Sequence, residues 1–371
     1  MFLKKLTLFN FKNYEEASLE FSEKINCFTG SNGAGKTNLL DAIHYLSFTK
    51  SYFNLIDGQN IRHDAGFFAI HGQFVRNGSG PDDVSCIQKR NNKKQFRINS
   101  KEYDRMADHI GEFPLVMVSP YDRDLINEGS ELRRKYIDSV ISQFDRQYLE
   151  DLIVYNKALA QRNALLKIFG ERKYFDDASL EIWDEQMKGP AGRIFKRRRE
   201  FLDGFLPVFG RYFEFISHGD EKVDILYHSD LSESEMGELL SLNLQRDLSS
   251  RYTTSGIHKD DLELLIDGYP VKKFGSQGQQ KSFVVAIKLA QFEYTRNIKG
   301  YKPILLLDDI FDKLDSNRVD RIIKLVGENS FGQVFITDTQ PERINHIFVS
   351  TSTDHRAFHV SSGLVSLIDL P

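Results

Sequence analysis

Two cysteines in 371 residues are too few for a disulfide framework, and Cys27 and Cys86 stand at no metal-ligand spacing. No run approaches the ~18 apolar residues of a membrane span. The N-terminus carries two lysines but neither an apolar core nor a cleavage site, so no secretory signal is expected. A surplus of positive charge is missing too. Lys+Arg 49 against Asp+Glu 53 gives a net charge of −4, so any contact with nucleic acid must come from local patches. Internal repeats and low-complexity segments are absent. What is there, 40% hydrophobic residues, supports a real core in two domains or one elaborated domain. A cytoplasmic protein is the expectation.

The organising stretch is Gly30-Ser31-Asn32-Gly33-Ala34-Gly35-Lys36-Thr37, which fits G-x-x-x-x-G-K-[ST] at every fixed position. A β-rich run, Ile25 to Thr29, leads in. Leu39, Leu40, Ile43 and Leu46 lead out at helical spacing. Glycines let such a loop curl and turn its N–H groups inward, and the helix start adds unpaired N–H groups. Lys36 supplies a cation for the outer phosphates and Thr37 a hydroxyl for Mg²⁺.

Before the loop, Leu3, Leu6 and Leu8, then Leu19 and Phe21, alternate with polar residues. This predicts an antiparallel pair beside the loop's own strand, turning near Asn13. Lys12, in that turn, is placed to reach a bound nucleotide. Short strands follow over 68–75, 84–89, 95–98 and 115–118, with turns at Asn77-Gly78 and Asn91-Asn92. From Glu131 to Phe169 there is neither Gly nor Pro, and the apolar spacing predicts one bent helix or two. Helical pattern resumes over 180–187, breaks at Gly189-Pro190 and continues over 193–205. A strand over 221–227 and a helix over 233–247 complete a helical insertion, residues 122–250. The flanking parts, 1–121 and 251–371, form one α/β framework. Its later strands fall at 262–266, 304–308 and 334–337, with a final hairpin over 357–367.

Ligands of a parallel sheet sit beyond the carboxyl ends of its strands. Asp308 closes the apolar run Ile304 to Leu307 and can hold Mg²⁺ opposite Thr37. Asp309 follows it and can orient or deprotonate an attacking water. Some 270 residues separate Lys36 from Asp308, which suggests a split core, as in ABC-superfamily ATPase heads. Ser276, Gly278 and Gln279 precede an apolar helix and make a second anion site. In that architecture such a site meets the γ-phosphate held by a second copy, giving a head-to-tail homodimer with two ATPs between the chains. His258, Asp260 and Asp261 read as structural rather than as a metal site.

Several stretches together resemble the RecF family, bacterial recombination mediators whose ABC-type ATPase is related to SMC heads. They are Leu8-Phe9-Asn10-Phe11-Lys12-Asn13-Tyr14, residues 33–43, Arg133-Arg134 with Asp138, and Tyr155 to Asn163. His258-Lys259-Asp260-Asp261, residues 276–282 and Leu306 to Asp315 complete the set. The resemblance implies an α/β fold: an ABC-type P-loop ATPase head, mixed sheet plus antiparallel β subdomain, with an inserted helical arm. It implies ATP and Mg²⁺ as cofactors, ATP-driven dimerisation on single- or double-stranded DNA, and RecR and RecO as partners at gaps. Asp315 falls in a loop that crosses the dimer. Asp309 stands where most ABC enzymes have Glu; a shorter carboxylate predicts slow hydrolysis, stimulated by DNA. Asp338 follows a strand where transporters carry a switch histidine, so no histidine sensor is assigned.

Candidate DNA contacts are Lys89, Arg90, Lys93, Lys94 and Arg97 in one hairpin, and Arg193, Lys196, Arg197, Arg198 and Arg199 in the insertion. No base-reading motif accompanies them, so binding should be largely independent of sequence. A metabolic P-loop kinase is disfavoured by the serine-glycine run, and a long SMC-like tether by the short insertion. A scaffold that binds ATP without hydrolysing it stays open.

Overall fold

The computed structural model describes residues 1–371 except 55, 77–79, 218, 220, 312–315, 328–329, 341, 345–353 and 369–371. The expected Asn77-Gly78 turn and Asp315 lie outside the described residues. In chain order the elements are β1 (Phe2–Phe11), β2 (Tyr14–Glu20), β3 (Ile25–Thr29), α1 (Lys36–Phe48), β4 (Phe67–Val75), β5 (Pro81–Lys89), β6 (Gln95–Ile98), β7 (Lys101–Glu102) and β8 (Leu115–Val118). There follow α2 (Asp124–Asn127), α3 (Ser130–Ser142), α4 (Arg146–Arg172), α5 (Asp177–Ser217), β9 (Val223–His228), α6 (Met236–Leu242), α7 (Leu244–Ser250), β10 (Asp261–Ile266), β11 (Tyr269–Pro270) and α8 (Val271–Phe274). The chain ends with α9 (Gln277–Lys299), β12 (Ile304–Asp308), α10 (Ser316–Gly327), β13 (Val334–Asp338), β14 (His355–Ser361) and β15 (Leu364–Ile368).

Two compact units emerge: residues 1–122, 215–218 and 284–371, and residues 123–214 and 219–283. The first unit holds two sheets. One is mixed, in the order β15-β14-β3-β13-β12-β8. Strands β14, β3, β13, β12 and β8 are parallel, and β15 runs against β14. Every residue of β3, β8, β12 and β13 is buried, which is why these strands read as unbroken apolar runs. The other sheet, β2-β1-β4-β5-β6-β7, is antiparallel and keeps the alternation of a half-buried surface. Side chains of α1 and of both sheets share one core. Among the 13 residues of α1 only Thr37 and Asn38 escape full burial, so even Asp41, His44 and Ser47 are inside.

The β1–β2 hairpin forms as expected but in a different place. It pairs with β4, not with β3. The reason is that β3 has no free edge, since β13 and β14 occupy both of its sides.

In the second unit the Gly- and Pro-free stretch resolves into two helices, because the Asp145 side chain accepts a hydrogen bond from the Tyr148 N–H and starts α4 afresh. The expected break at Gly189-Pro190 does not occur. α5 runs 41 residues through both Pro190 and Pro207. Met187, Pro190, Ala191 and Ile194 are all buried there, and packing of that face outweighs one lost backbone bond. Residues 233–247 give two short helices, α6 and α7. Residues 251–283 cluster with this unit rather than with 284–371, because β10 pairs along its length with β9, Leu264 opposite Ile225.

His44 and His109 are buried and His258 is half-buried, and desolvation pushes each down to about 4. Their rings bond the carbonyls of Lys50, Leu46 and Thr253 respectively. An unfolded histidine titrates higher, so acid favours the unfolded chain. Between about pH 6.5 and pH 4 each ring should cost up to about 1.4 kcal/mol of stability per pH unit. Asp308, held above the usual carboxylate range, pulls the other way in the lower part of that window. Urea midpoints should therefore fall from pH 7 to pH 4.5; a flat profile would contradict the buried neutral rings.

Candidate active site

The phosphate-loop conformation rests on two glycines. Gly30 has φ +146°, and a Cβ there would stand 2.2 Å from the Val360 carbonyl oxygen. Gly35 has φ +118° and would meet the Asn13 amide at 2.5 Å. Both positions require glycine on conformation and on space. The tip, Ser31-Asn32-Gly33, is exposed, while Ala34, Gly35 and Lys36 are buried. Gly35 is the N-cap of α1, and no side chain caps this helix, so its first N–H groups remain for a ligand.

The loop is clamped from behind. Asn13 Nδ2 donates to the Ala34 carbonyl at 3.1 Å, the Gly363 N–H to the same oxygen at 3.3 Å, and the Tyr14 hydroxyl to the Gly35 carbonyl at 3.0 Å. In a trans peptide the C=O and N–H point opposite ways. Tying these carbonyls back turns the N–H groups of Gly35 and Lys36 away from the clamp. Asn38 Nδ2 holds the Asn13 amide oxygen at 2.7 Å. Sequence reasoning gave Asn13-Tyr14 only a turn; their place in the same quoted stretch as Lys12 was the available signal.

Lys36 Nζ donates to the carbonyls of Gly30 at 2.8 Å and Ser31 at 3.1 Å, so the cation lies along the loop. The Thr37 hydroxyl donates to Asp308 at 2.9 Å across 271 residues of sequence. Thr337 Oγ1 donates to Asp308 Oδ1 at 2.9 Å and accepts the Asp309 N–H at 2.9 Å. Burial raises the Asp308 carboxyl to about 6; bonds from Thr337 and Thr37 and the Lys36 charge oppose this, and the Asp309 charge adds to it. Asp309 has φ +44°, a left-handed turn directly at the strand end. The structure thus brings Thr37 into contact with Asp308, with Asp309 next in the chain and bonded through its N–H to Thr337, a member that the sequence reading missed.

Lys12 does not stand ready for a nucleotide. Its Nζ pairs with buried Asp41 at 2.6 Å. Asp41 also takes bonds from the Ser51 hydroxyl and the Tyr52 N–H, so the pair ties the β1–β2 turn to α1 and to the segment behind it.

In the second unit, Ser276 and Gln279 cap α9 reciprocally. The Gln279 N–H bonds Ser276 Oγ at 3.2 Å, and the Ser276 N–H bonds Gln279 Oε1 at 2.6 Å. Ser276 and Gln277 are exposed, Gly278 is half-buried, and Gln279 also contacts Glu221.

The basic runs divide. Lys94 is anchored by Asp57 at 2.7 Å and by the Thr49 carbonyl. Arg97 faces Glu102 at 3.4 Å, and Arg90 Nε bonds the Ala65 carbonyl. Lys89 and Lys93 are exposed. In the insertion Arg193 pairs with Asp151, and Arg197 with Asp145 and Glu200. Arg198 is 2% exposed and pairs with Asp138 and Asp260. Arg198 is therefore a core residue. His258 bonds Tyr155 and Thr253, Asp261 bonds Arg133, and no metal-binding cluster appears among the described residues.

The RecF/RecN/SMC N-terminal domain family matches residues 2–356. A Flavobacterium johnsoniae protein named DNA replication and repair protein RecF is 51% identical over 360 residues, 97% of this chain and 100% of that one. The protein of that name from Bacteroides thetaiotaomicron is 47% identical over 366 residues, 99% of this chain and 98% of that one. A solved structure described as the recombination mediator protein RecF-ATPrS in the RecFOR pathway has a TM-score of 0.88 at 32% identity, covering 99% of this chain and 98% of that one. A Pyrococcus furiosus Smc head domain bound to the C-terminal domain of ScpA shares the fold, with a TM-score of 0.59 at 17% identity over 100% of this chain and 96% of that one. With such identity to proteins named RecF over nearly its whole length, this chain belongs to the RecF family.

Proposed function

We propose that this protein is an ATP-dependent DNA-binding protein of recombinational repair, dimerising on DNA when it holds ATP and releasing after slow hydrolysis. The observation that carries this reading is the meeting of Thr37 and Asp308 at 2.9 Å beside a clamped phosphate loop. Hydroxyl and carboxylate oxygens are the donors a magnesium ion takes, and the pair lies where the triphosphate of ATP would end. When bound, Mg²⁺ neutralises phosphate charge. The chain's own part is to cradle phosphates with the N–H groups of α1, to place Lys36 against them, and to present Asp309 to a water. Ser276 and Gly278 would close over the nucleotide of a second copy, with Gln279 keeping that turn in shape. In this reading the protein helps RecO and RecR to load recombinase at gaps.

A second reading, an ATP-binding scaffold with negligible hydrolysis, is favoured by the short reach of Asp309. Hydrolysis assays decide. The parent should release phosphate slowly and faster with DNA, and Asp309→Asn should bind ATP equally well and release none. Equal rates in parent and variant would remove Asp309 from the chemistry, and no turnover in either would favour the scaffold.

The DNA surface of this reading includes Lys89, Arg90 and Lys93 of the β5–β6 hairpin. Changing Lys89 and Lys93 to Glu should weaken DNA binding uniformly across sequences and lower the salt slope by about 2. An unchanged slope would take the hairpin out of the site. Lys94, serving Asp57, should instead be needed for folding, and Arg97 for the pair with Glu102.

A further inference from the structure

Asp338 ends β13, whose neighbours are β3 and β12. It lies opposite Thr29, one residue before the phosphate loop, while Thr337 lies opposite Asp308. A bare carboxylate here would repel the end of a triphosphate. Both of its oxygens are engaged: Oδ1 accepts the Gln340 N–H at 2.8 Å and Oδ2 accepts Arg343 Nη1 at 2.7 Å. Arg343 Nη2 also donates to Gln340 Oε1 at 2.9 Å. The guanidinium carbon lies 5.6 Å from the centre of the Phe311 ring, two residues beyond Asp309. The fork is therefore fixed between the end of β13 and the loop that carries Asp309. Two of its five N–H donors serve Asp338 and Gln340, and the side chain stays 24% exposed.

We propose that Arg343, held in place by Asp338, contacts the terminal phosphate of bound ATP and takes the role that a histidine has in transporters. The proposal rests on the nucleotide reading given above. A planar, permanently charged fork suits a phosphoryl group whose charge spreads over three oxygens, and it can keep its anchor while donating to a phosphate. Asp338 acts as a positioning residue. Such a contact exists for ATP and not for ADP, which separates this role from a structural one.

The experiment measures Mg²⁺-dependent binding of ADP and of the β,γ-imido analogue of ATP to the full chain, for the parent, Arg343→Ala and Arg343→Lys. Arg343→Ala should lose about 10- to 100-fold in affinity for the triphosphate, with ADP affinity unchanged. Arg343→Lys should fall between, and ATP turnover should fall in the same order. Equal losses for both nucleotides, or no loss, would overturn the proposal while leaving the nucleotide site intact. A parent that binds neither nucleotide would overturn both. If Arg343→Ala fails to fold, the triphosphate-to-ADP ratio of Arg343→Lys decides.

Discussion

Arg198→Met is expected to destabilise the second unit by about 3–5 kcal/mol, one of the larger effects a single substitution can have. Arg198 Nη1 donates to Asp260 at 2.7 Å and to the Ile257 carbonyl at 3.0 Å, and Nη2 donates to Asp138 at 2.8 Å. The Tyr148 and Tyr227 hydroxyls join the same carboxylates. Asp260 is 1% exposed as a side chain, so removing the guanidinium leaves a buried carboxylate without its ion-pair partner. Burial already holds the Asp260 carboxyl above its usual range, with Arg198 as the main opposing influence. Arg198→Lys keeps charge but loses the fork and should recover only part of the loss. Chemical denaturation measures this; a midpoint for Arg198→Met equal to the parent's would contradict the network.

The second large effect is on the nucleotide. In Lys36→Met, ATP affinity should fall by about 100-fold or more, because the amine supplies charge-assisted bonds to phosphate that a thioether cannot. The fold should survive, since methionine keeps the buried stem and the loop stays clamped through Asn13, Tyr14 and Gly363. Calorimetric titration checks this. Affinity within threefold of the parent would mean that phosphate is not held at this loop.

Where sequence reasoning succeeded, the signal was local and chemical. The loop, the apolar strand ending in Asp308 and the serine-led start of α9 each depend on neighbouring residues alone. Where it failed, the deciding partner was remote in the chain. Lys12 is taken up by Asp41 and Lys94 by Asp57, partners far off in the sequence. Tyr14 became a clamp only when Gly35 came within reach. The β1–β2 hairpin carried no mark of which sheet it would join, because alternation fixes a face and not a neighbour. Pro190 misled because packing on both sides of it outweighs one missing donor. Arg198 was the avoidable error. It sits at helical spacing with Ala191, Ile194, Phe201, Leu202 and Phe205, all buried, so the apolar stripe of α5 already contained its position.

In the proposed function a triphosphate gripped by one chain would be closed over by the serine turn of another, and the mass of the complex reports on that most directly. Sedimentation should be run at high concentration with ATP, Mg²⁺ and duplex or gapped DNA, beside Lys36→Met under identical conditions. The account predicts a dimer for the parent, dependent on ATP, and a monomer for Lys36→Met. A parent that sediments as a monomer under every one of these conditions would contradict it.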